Sequence, residues 1–126
     1  MDFSPCIEKI RDDRRILALY LLGSAQIGTM RPDSDVDLAL LLEAGREMSP
    51  LERADLAAVV SSLLRRDVAL GELSSRNLVY AKEAILKGRR LFARDAARAD
   101  LHETTLLSMY ARFNEDRREV LDAYRA

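Results

Sequence analysis

Residues 23–42 read GSAQIGTMRPDSDVDLALLL, in which a glycine–serine pair is separated by ten residues from two aspartates that flank a valine. Side chains two residues apart on a strand point to the same face, so we expect Asp35 and Asp37 to lie side by side while Val36 turns to the opposite layer. Two neighbouring carboxylates repel each other unless a cation lies between them, and hard oxygen ligands suit Mg²⁺. The stretch therefore predicts a divalent-metal site on one strand, with a tight turn ahead of it.

Apolar runs on both sides of this stretch predict two buried strands. The first covers Ile16–Leu22 and ends at Gly23, and the second covers Val36–Leu42. Residues 49–52, SPLE, form a capping box with proline at the first helical position, and they predict a helix over residues 50–65. The remaining predicted elements are a strand over 67–70, a helix from near 75 to 87 capped by Gly88, and a possible edge strand over 91–93. The sequence thus predicts a single α/β domain with a short mixed sheet backed by helices.

The stretch GSAQIGTMRPDSDVDLALLL resembles the signature of the DNA polymerase beta-like nucleotidyltransferases, and the small size resembles their minimal, or MNT, branch. The resemblance covers about residues 1–95, which we expect to form the nucleotidyltransferase domain. It implies that ATP places its terminal phosphates against Gly23 and Ser24, where backbone N–H groups can approach closely. It also implies two Mg²⁺ ions, held by Asp35 and Asp37, at the α-phosphate.

The family uses a third carboxylate on the strand next to the aspartate pair. In the resemblance this residue is Asp67, which completes the ligands of the second metal or takes the proton from the attacking hydroxyl. The sequence leaves a second interpretation open, in which Asp67 is a polar strand start after Arg65 and Arg66.

One feature departs from the family pattern. Members commonly carry a basic residue just before the second glycine of the turn, whereas Gln26 and Ile27 precede Gly28 in this chain. One cation is therefore missing near the triphosphate, and Arg31 is a candidate substitute.

Minimal proteins of this kind are typically antitoxins whose partner is a HEPN-domain ribonuclease. The resemblance therefore implies transfer of AMP from ATP to a tyrosine of that toxin, within a hetero-oligomer of the two proteins. Two alternatives stay open: a catalytically inactive antitoxin that acts by binding and occlusion, and a small-molecule nucleotidyltransferase of the aminoglycoside-modifying kind. The second is weaker because a chain of 126 residues leaves little room for a domain that builds an acceptor pocket.

Composition narrows the class of protein further. A net charge of −1 argues against nucleic acid as the main partner, because binding to phosphate backbones normally requires a basic surface. The single cysteine, Cys6, has no partner in the chain for a disulfide, which indicates a reducing compartment. The sequence contains neither an apolar run of membrane-spanning length nor a signal-peptide profile, so we expect a cytoplasmic protein.

Residues 96–126 lie beyond the stretch that resembles the family, and we expect them to form a C-terminal helical extension. Their apolar positions fall on one broad helical face, which predicts an amphipathic C-terminal helix. These positions are Leu106, Met109, Tyr110, Phe113, Val120, Leu121 and Tyr124. The helix is expected to pack on its own domain or, with its outer half, on the partner.

Overall fold

The structure is a computed structural model that describes residues 1–23 and 35–125. Its elements, in chain order, are α1 Ser4–Arg11, β1 Ile16–Leu22, β2 Val36–Leu42, α2 Pro50–Leu64, β3 Val68–Glu72, α3 Leu78–Lys87, β4 Arg89–Ala93 and α4 Ala96–Arg125. Within these residues, no helix is both long enough and apolar enough to cross a membrane.

The strands form one mixed sheet in the order β3-β2-β1-β4. β1 pairs antiparallel with both β2 and β4, whereas β2 and β3 run parallel. The central strands β1 and β2 therefore have a strand on each side and helices on both faces. This double burial explains their nearly continuous apolar sequences.

Two apolar layers hold the helices against the sheet. In the first, Cys6 and Ile10 of α1 and Val60 of α2 pack against strand residues that include Leu19 and Leu40. In the second, small and apolar residues of α3 and α4 cover the opposite face; they include Ala81, Ala84, Ala99 and Leu106. The alternation of β1 and β2 side chains between these layers fixes which face of the sheet each functional side chain occupies.

The structure confirms β1 and β2 with their predicted bounds. β3 begins at Val68 rather than at residue 67, β4 begins at Arg89 rather than at residue 91, and two helices are corrected. α3 begins at Leu78 rather than near residue 75, because the Asn77 side chain caps it by accepting a hydrogen bond from the Tyr80 N–H at 3.3 Å. α1 was not predicted at all, since it is short and buries only Cys6 and Ile10. The capping box at Ser49 is present as predicted.

α4 is attached to the sheet only through its first half. Ala99 and Leu106 are buried there, and Glu103 accepts hydrogen bonds from the Tyr20 hydroxyl at 2.5 Å and from Arg90 at 2.9 Å. The outer half of α4, residues 113–125, has no buried residue. Its large exposed apolar side chains are Phe113, Val120, Leu121 and Tyr124. The first half thus packs on its own domain, and the outer half presents an apolar surface.

We expect Leu40→Ala to lower the free energy of unfolding by about 2–5 kcal/mol, because it leaves a cavity in a fully buried part of the sheet. Leu86→Ala is the matched control; Leu86 is 64% exposed, and its replacement should change stability by less than about 0.5 kcal/mol. Urea unfolding followed by circular dichroism measures both. Similar losses in the two variants would contradict the assignment of the core.

Candidate active site

Gly23 ends β1 in a backbone conformation that favours glycine. Its φ is +69°, in the left-handed region. A Cβ at this position would lie 3.9 Å from the Cβ of Asp37, so the turn directly faces the aspartate strand. The other residues of the predicted phosphate turn, among them Ser24, Gln26, Ile27, Gly28 and Arg31, lie outside the described residues.

Asp35 and Asp37 lie where β2 begins. Asp37 is the only exposed residue of this strand, and Asp35, which immediately precedes the strand, is exposed as well. Partial burial of the carboxyl group and, second, the negative charge of Asp35 raise the pKa of Asp37 above its ordinary value. The two carboxylates therefore lie within electrostatic reach of each other.

Asp67 lies just before β3 rather than inside it. Its backbone carbonyl accepts a hydrogen bond from the Val36 N–H at 2.8 Å, which sets Asp67 level with Asp35 at the start of the parallel pair. The β3 residue that pairs with Asp37 is Ala69. The strand position beside Asp37 therefore carries no carboxylate, and an acid from β3 can reach the pair only from the Asp67 end.

The described donors fit Mg²⁺ by their chemistry. Among residues 1–23 and 35–125, no three acidic, cysteine or histidine side chains come together as a ready metal site. Asp35 and Asp37 nevertheless supply hard oxygen ligands, and Mg²⁺ usually completes such a pair with waters and substrate phosphates. A cation between the two carboxylates would also relieve the repulsion that helps to raise the pKa of Asp37.

A cavity of about 580 Å³ opens beside Asp37 at the β3 edge of the sheet. We call it the edge cavity; it is lined by Asp37, Met48, Pro50, Arg53, Ala69, Leu70, Gly71, Glu72, Ser74, Arg76, Asn77 and Tyr80. The first turns of α2 and α3 form its walls. Sequence reasoning missed Arg53 and Tyr80; the one available signal was Gly71, because a glycine inside a strand often marks the close approach of another group.

The family of the chain follows from the match of residues 5–97 to the polymerase beta nucleotidyltransferases. These residues run from α1 into the start of α4, and they include Gly23, the aspartate pair and Asp67. The chain belongs to this nucleotidyltransferase family.

Individual relatives are similar over nearly the whole chain. The protein adenylyltransferase MntA of Shewanella oneidensis is 29% identical over 117 residues, which cover 92% of this chain and 82% of MntA. A crystal structure of a toxin-antitoxin with AMP-PNP matches with a TM-score of 0.82 and 27% identity, over 100% of both chains. A structure of a tri-AMPylated Shewanella oneidensis HEPN toxin in complex with an MNT antitoxin matches with a TM-score of 0.75 and 25% identity, over 98% of this chain and 95% of that chain. The predicted fold and the resemblance to the minimal branch are thereby confirmed.

We expect Asp37→Asn to raise the thermal midpoint of the metal-free protein at neutral pH. The pKa of Asp37 is raised in the folded protein, so ionisation of this carboxyl group favours unfolding. The stability that the protonated form contributes is therefore lost as the pH rises through the folded pKa. The advantage of the asparagine variant should therefore shrink as the pH falls and disappear below the ordinary value of 3.8. Thermal unfolding in EDTA across this range measures it.

The same variant separates the metal from the charge. Mg²⁺ with AMP-PNP should raise the midpoint of the wild type and have little effect on Asp37→Asn, because ligand binding stabilises only the protein that retains the site. Asp55→Asn, which alters an exposed acid of α2, should respond like the wild type. Equal stabilisation of wild type and Asp37→Asn would contradict the metal assignment.

Proposed function

We propose that this chain is the antitoxin of a toxin–antitoxin pair and acts as a Mg²⁺-dependent protein adenylyltransferase. It transfers AMP from ATP to a tyrosine of a HEPN ribonuclease toxin in the cytoplasm. The observation that carries this proposal is the position of the Gly23 turn against Asp37, with Asp35 beside it. A phosphate-binding turn and a carboxylate pair at contact distance are the two parts that nucleotidyl transfer needs.

The relatives support the choice of acceptor. MntA is named a protein adenylyltransferase, and the solved complex contains an AMPylated HEPN toxin with an MNT antitoxin. AMP-PNP, an ATP analogue, accompanies the toxin–antitoxin structure with the TM-score of 0.82. Because this chain spans most of the length of these proteins, the same substrates are the most economical assignment.

The proposed transfer is an in-line displacement at the α-phosphorus. Mg²⁺, when bound by Asp35 and Asp37, supplies positive charge to the α-phosphate and to the leaving pyrophosphate. The phenol oxygen of the acceptor forms the new bond to phosphorus, the bond from phosphorus to the bridging oxygen breaks, and pyrophosphate leaves with the electron pair. Backbone N–H groups at Gly23, with the Ser24 hydroxyl, hold the terminal phosphates.

Asp67 is the proposed acceptor of the phenolic proton. A free tyrosine has a pKa of about 10, so the hydroxyl needs a base or a nearby cation to ionise at neutral pH. The level of Asp67 with Asp35 supports this role, because it puts a third acid at the same end of the parallel strand pair. The backbone bond from Val36 to Asp67 holds that end of β3 against β2.

The outer half of α4 is the proposed contact surface for the toxin. Its apolar side chains Phe113, Val120, Leu121 and Tyr124 are between 42% and 87% exposed, which is unusual for a helix that belongs to its own core alone. Arg117 lies over the Phe113 ring at 5.7 Å, so this surface combines the aromatic and arginine side chains that are enriched at interfaces. The same surface supports the second candidate function, neutralisation by occlusion without catalysis.

Co-expression with a genomically linked HEPN ribonuclease tests the proposal. We expect the wild type to protect cells and the purified toxin to carry one or more AMP units on tyrosine, as measured by intact mass and peptide mapping. The Asp35→Asn/Asp37→Asn variant should transfer at least about 100-fold less, because it removes the groups that stabilise charge at the reacting phosphate.

One further variant tests the proton acceptor, and another is the control. Asp67→Asn should lower the single-turnover rate without weakening ATP binding, because a proton acceptor contributes mainly in the transition state. Asp55→Asn should behave like the wild type. Protection by the double variant at wild-type strength, with unmodified toxin in a tight complex, would contradict catalysis and favour occlusion.

A further inference from the structure

Tyr80 is held in the edge cavity by a contact that only glycine permits. A Cβ added at Gly71 would lie 2.2 Å from the Tyr80 hydroxyl oxygen and 2.7 Å from the ring carbon that bears it. The phenol of α3 therefore lies directly on the β3 backbone. Ala69 lies two residues before Gly71 on the same face of β3, so this part of the strand presents two small residues to the cavity.

Two charged groups, Asp37 and Arg53, affect the pKa of this phenol. Burial of the ring and, second, the negative charge of Asp37 raise the pKa of Tyr80, whereas Arg53 lowers it. Because Asp37, Arg53 and Tyr80 line the same cavity, a phenol oxygen inside it lies near both the aspartate strand and a guanidinium from α2. A second phenol in the cavity would experience the same cation.

The sheet order sets the direction from which an acceptor must arrive. Leu22, the last residue of β1 before Gly23, pairs with Asp37 of β2, and Asp37 pairs with Ala69 of β3. With the pyrophosphate on the Gly23 side, in-line displacement requires the attacking oxygen on the opposite side of the α-phosphorus. That side is β3, where the edge cavity opens beside Asp37.

We propose that the edge cavity receives the acceptor tyrosine of the partner protein, with Tyr80 as the positioning residue for its ring and Arg53 as the cation that faces its phenol oxygen. This inference rests on the proposed function and adds where the acceptor side chain binds. The volume of about 580 Å³ accommodates an aromatic side chain together with part of the segment that carries it. β3 is an edge strand, so such a segment can approach the cavity from outside the sheet.

Two measurements distinguish an acceptor site from a nucleotide site. One is steady-state AMP transfer with the toxin concentration varied at saturating ATP, and the other is ATP binding in the absence of toxin. Tyr80→Ala should raise the KM for toxin about five- to tenfold, as expected when an aromatic contact is removed, and leave the dissociation constant of ATP within about twofold. Tyr80→Phe should retain the wild-type KM because it keeps the ring. Arg53→Gln should lower kcat/KM for toxin. Arg14→Gln is the control and should change nothing, because Arg14 is exposed and precedes β1, at the opposite end of that strand from Gly23.

A double-mutant cycle isolates the contact between Tyr80 and Gly71. Gly71→Ala should displace the phenol and reproduce the effect of Tyr80→Ala, and it should have no further effect in the Tyr80→Ala background. Circular dichroism of each variant verifies folding, and the Tyr80→Ala and Arg53→Gln variants decide the matter if Gly71→Ala is unfolded.

Two results would overturn the inference. If Tyr80→Ala and Arg53→Gln leave the KM and kcat/KM for toxin unchanged, the cavity does not receive the acceptor, and the proposed function stands without this inference. Weaker ATP binding in these two variants would then assign the cavity to the nucleotide. If the wild type transfers no AMP to the toxin, the proposed function and the acceptor site fail together.

Discussion

The antiparallel pairing of β1 with β2 is the constraint on which the site depends. Its register pairs Leu22 with Asp37, so the turn at Gly23 meets the start of the aspartate strand. The left-handed backbone of Gly23 and the 3.9 Å approach to the Asp37 Cβ are consequences of that register. Because both strands are buried on both faces, a slip of one residue would exchange the two apolar layers, and the cores therefore hold the register in place.

The parallel pairing of β2 with β3 adds a second side to the site. It sets Asp67 level with Asp35 and puts Ala69 beside Asp37. The small residue Ala69 leaves space over β3, and Gly71 lets the Tyr80 phenol lie on the strand. The first turns of α2 and α3 enclose this space as the edge cavity. One sheet thus arranges the Gly23 turn, a carboxylate pair and a cavity in the order β1, β2, β3, which is the order that the proposed displacement at phosphorus requires.

The central part of this arrangement was predictable because it is local in sequence. Apolar runs bounded by turn residues predict β1 and β2, and alternation on a strand predicts that Asp35 and Asp37 share a face. The edge cavity was not predictable in the same way, since Arg53 and Tyr80 belong to different helices and meet only through tertiary packing. The late start of α3 has a local cause, the Asn77 cap, but residues 74–76 are also acceptable helix residues, so propensity alone does not place the boundary.

The most direct measurement of the central claim uses ATP that is radiolabelled at either the α- or the γ-phosphate, with the purified partner as acceptor. If Asp35 and Asp37 form an adenylyl-transfer centre, label from the α-phosphate appears on the partner in the presence of Mg²⁺, label from the γ-phosphate does not, and Asp37→Asn abolishes the signal. Labelling from the γ-phosphate, or undiminished α-labelling by Asp37→Asn, would contradict the account.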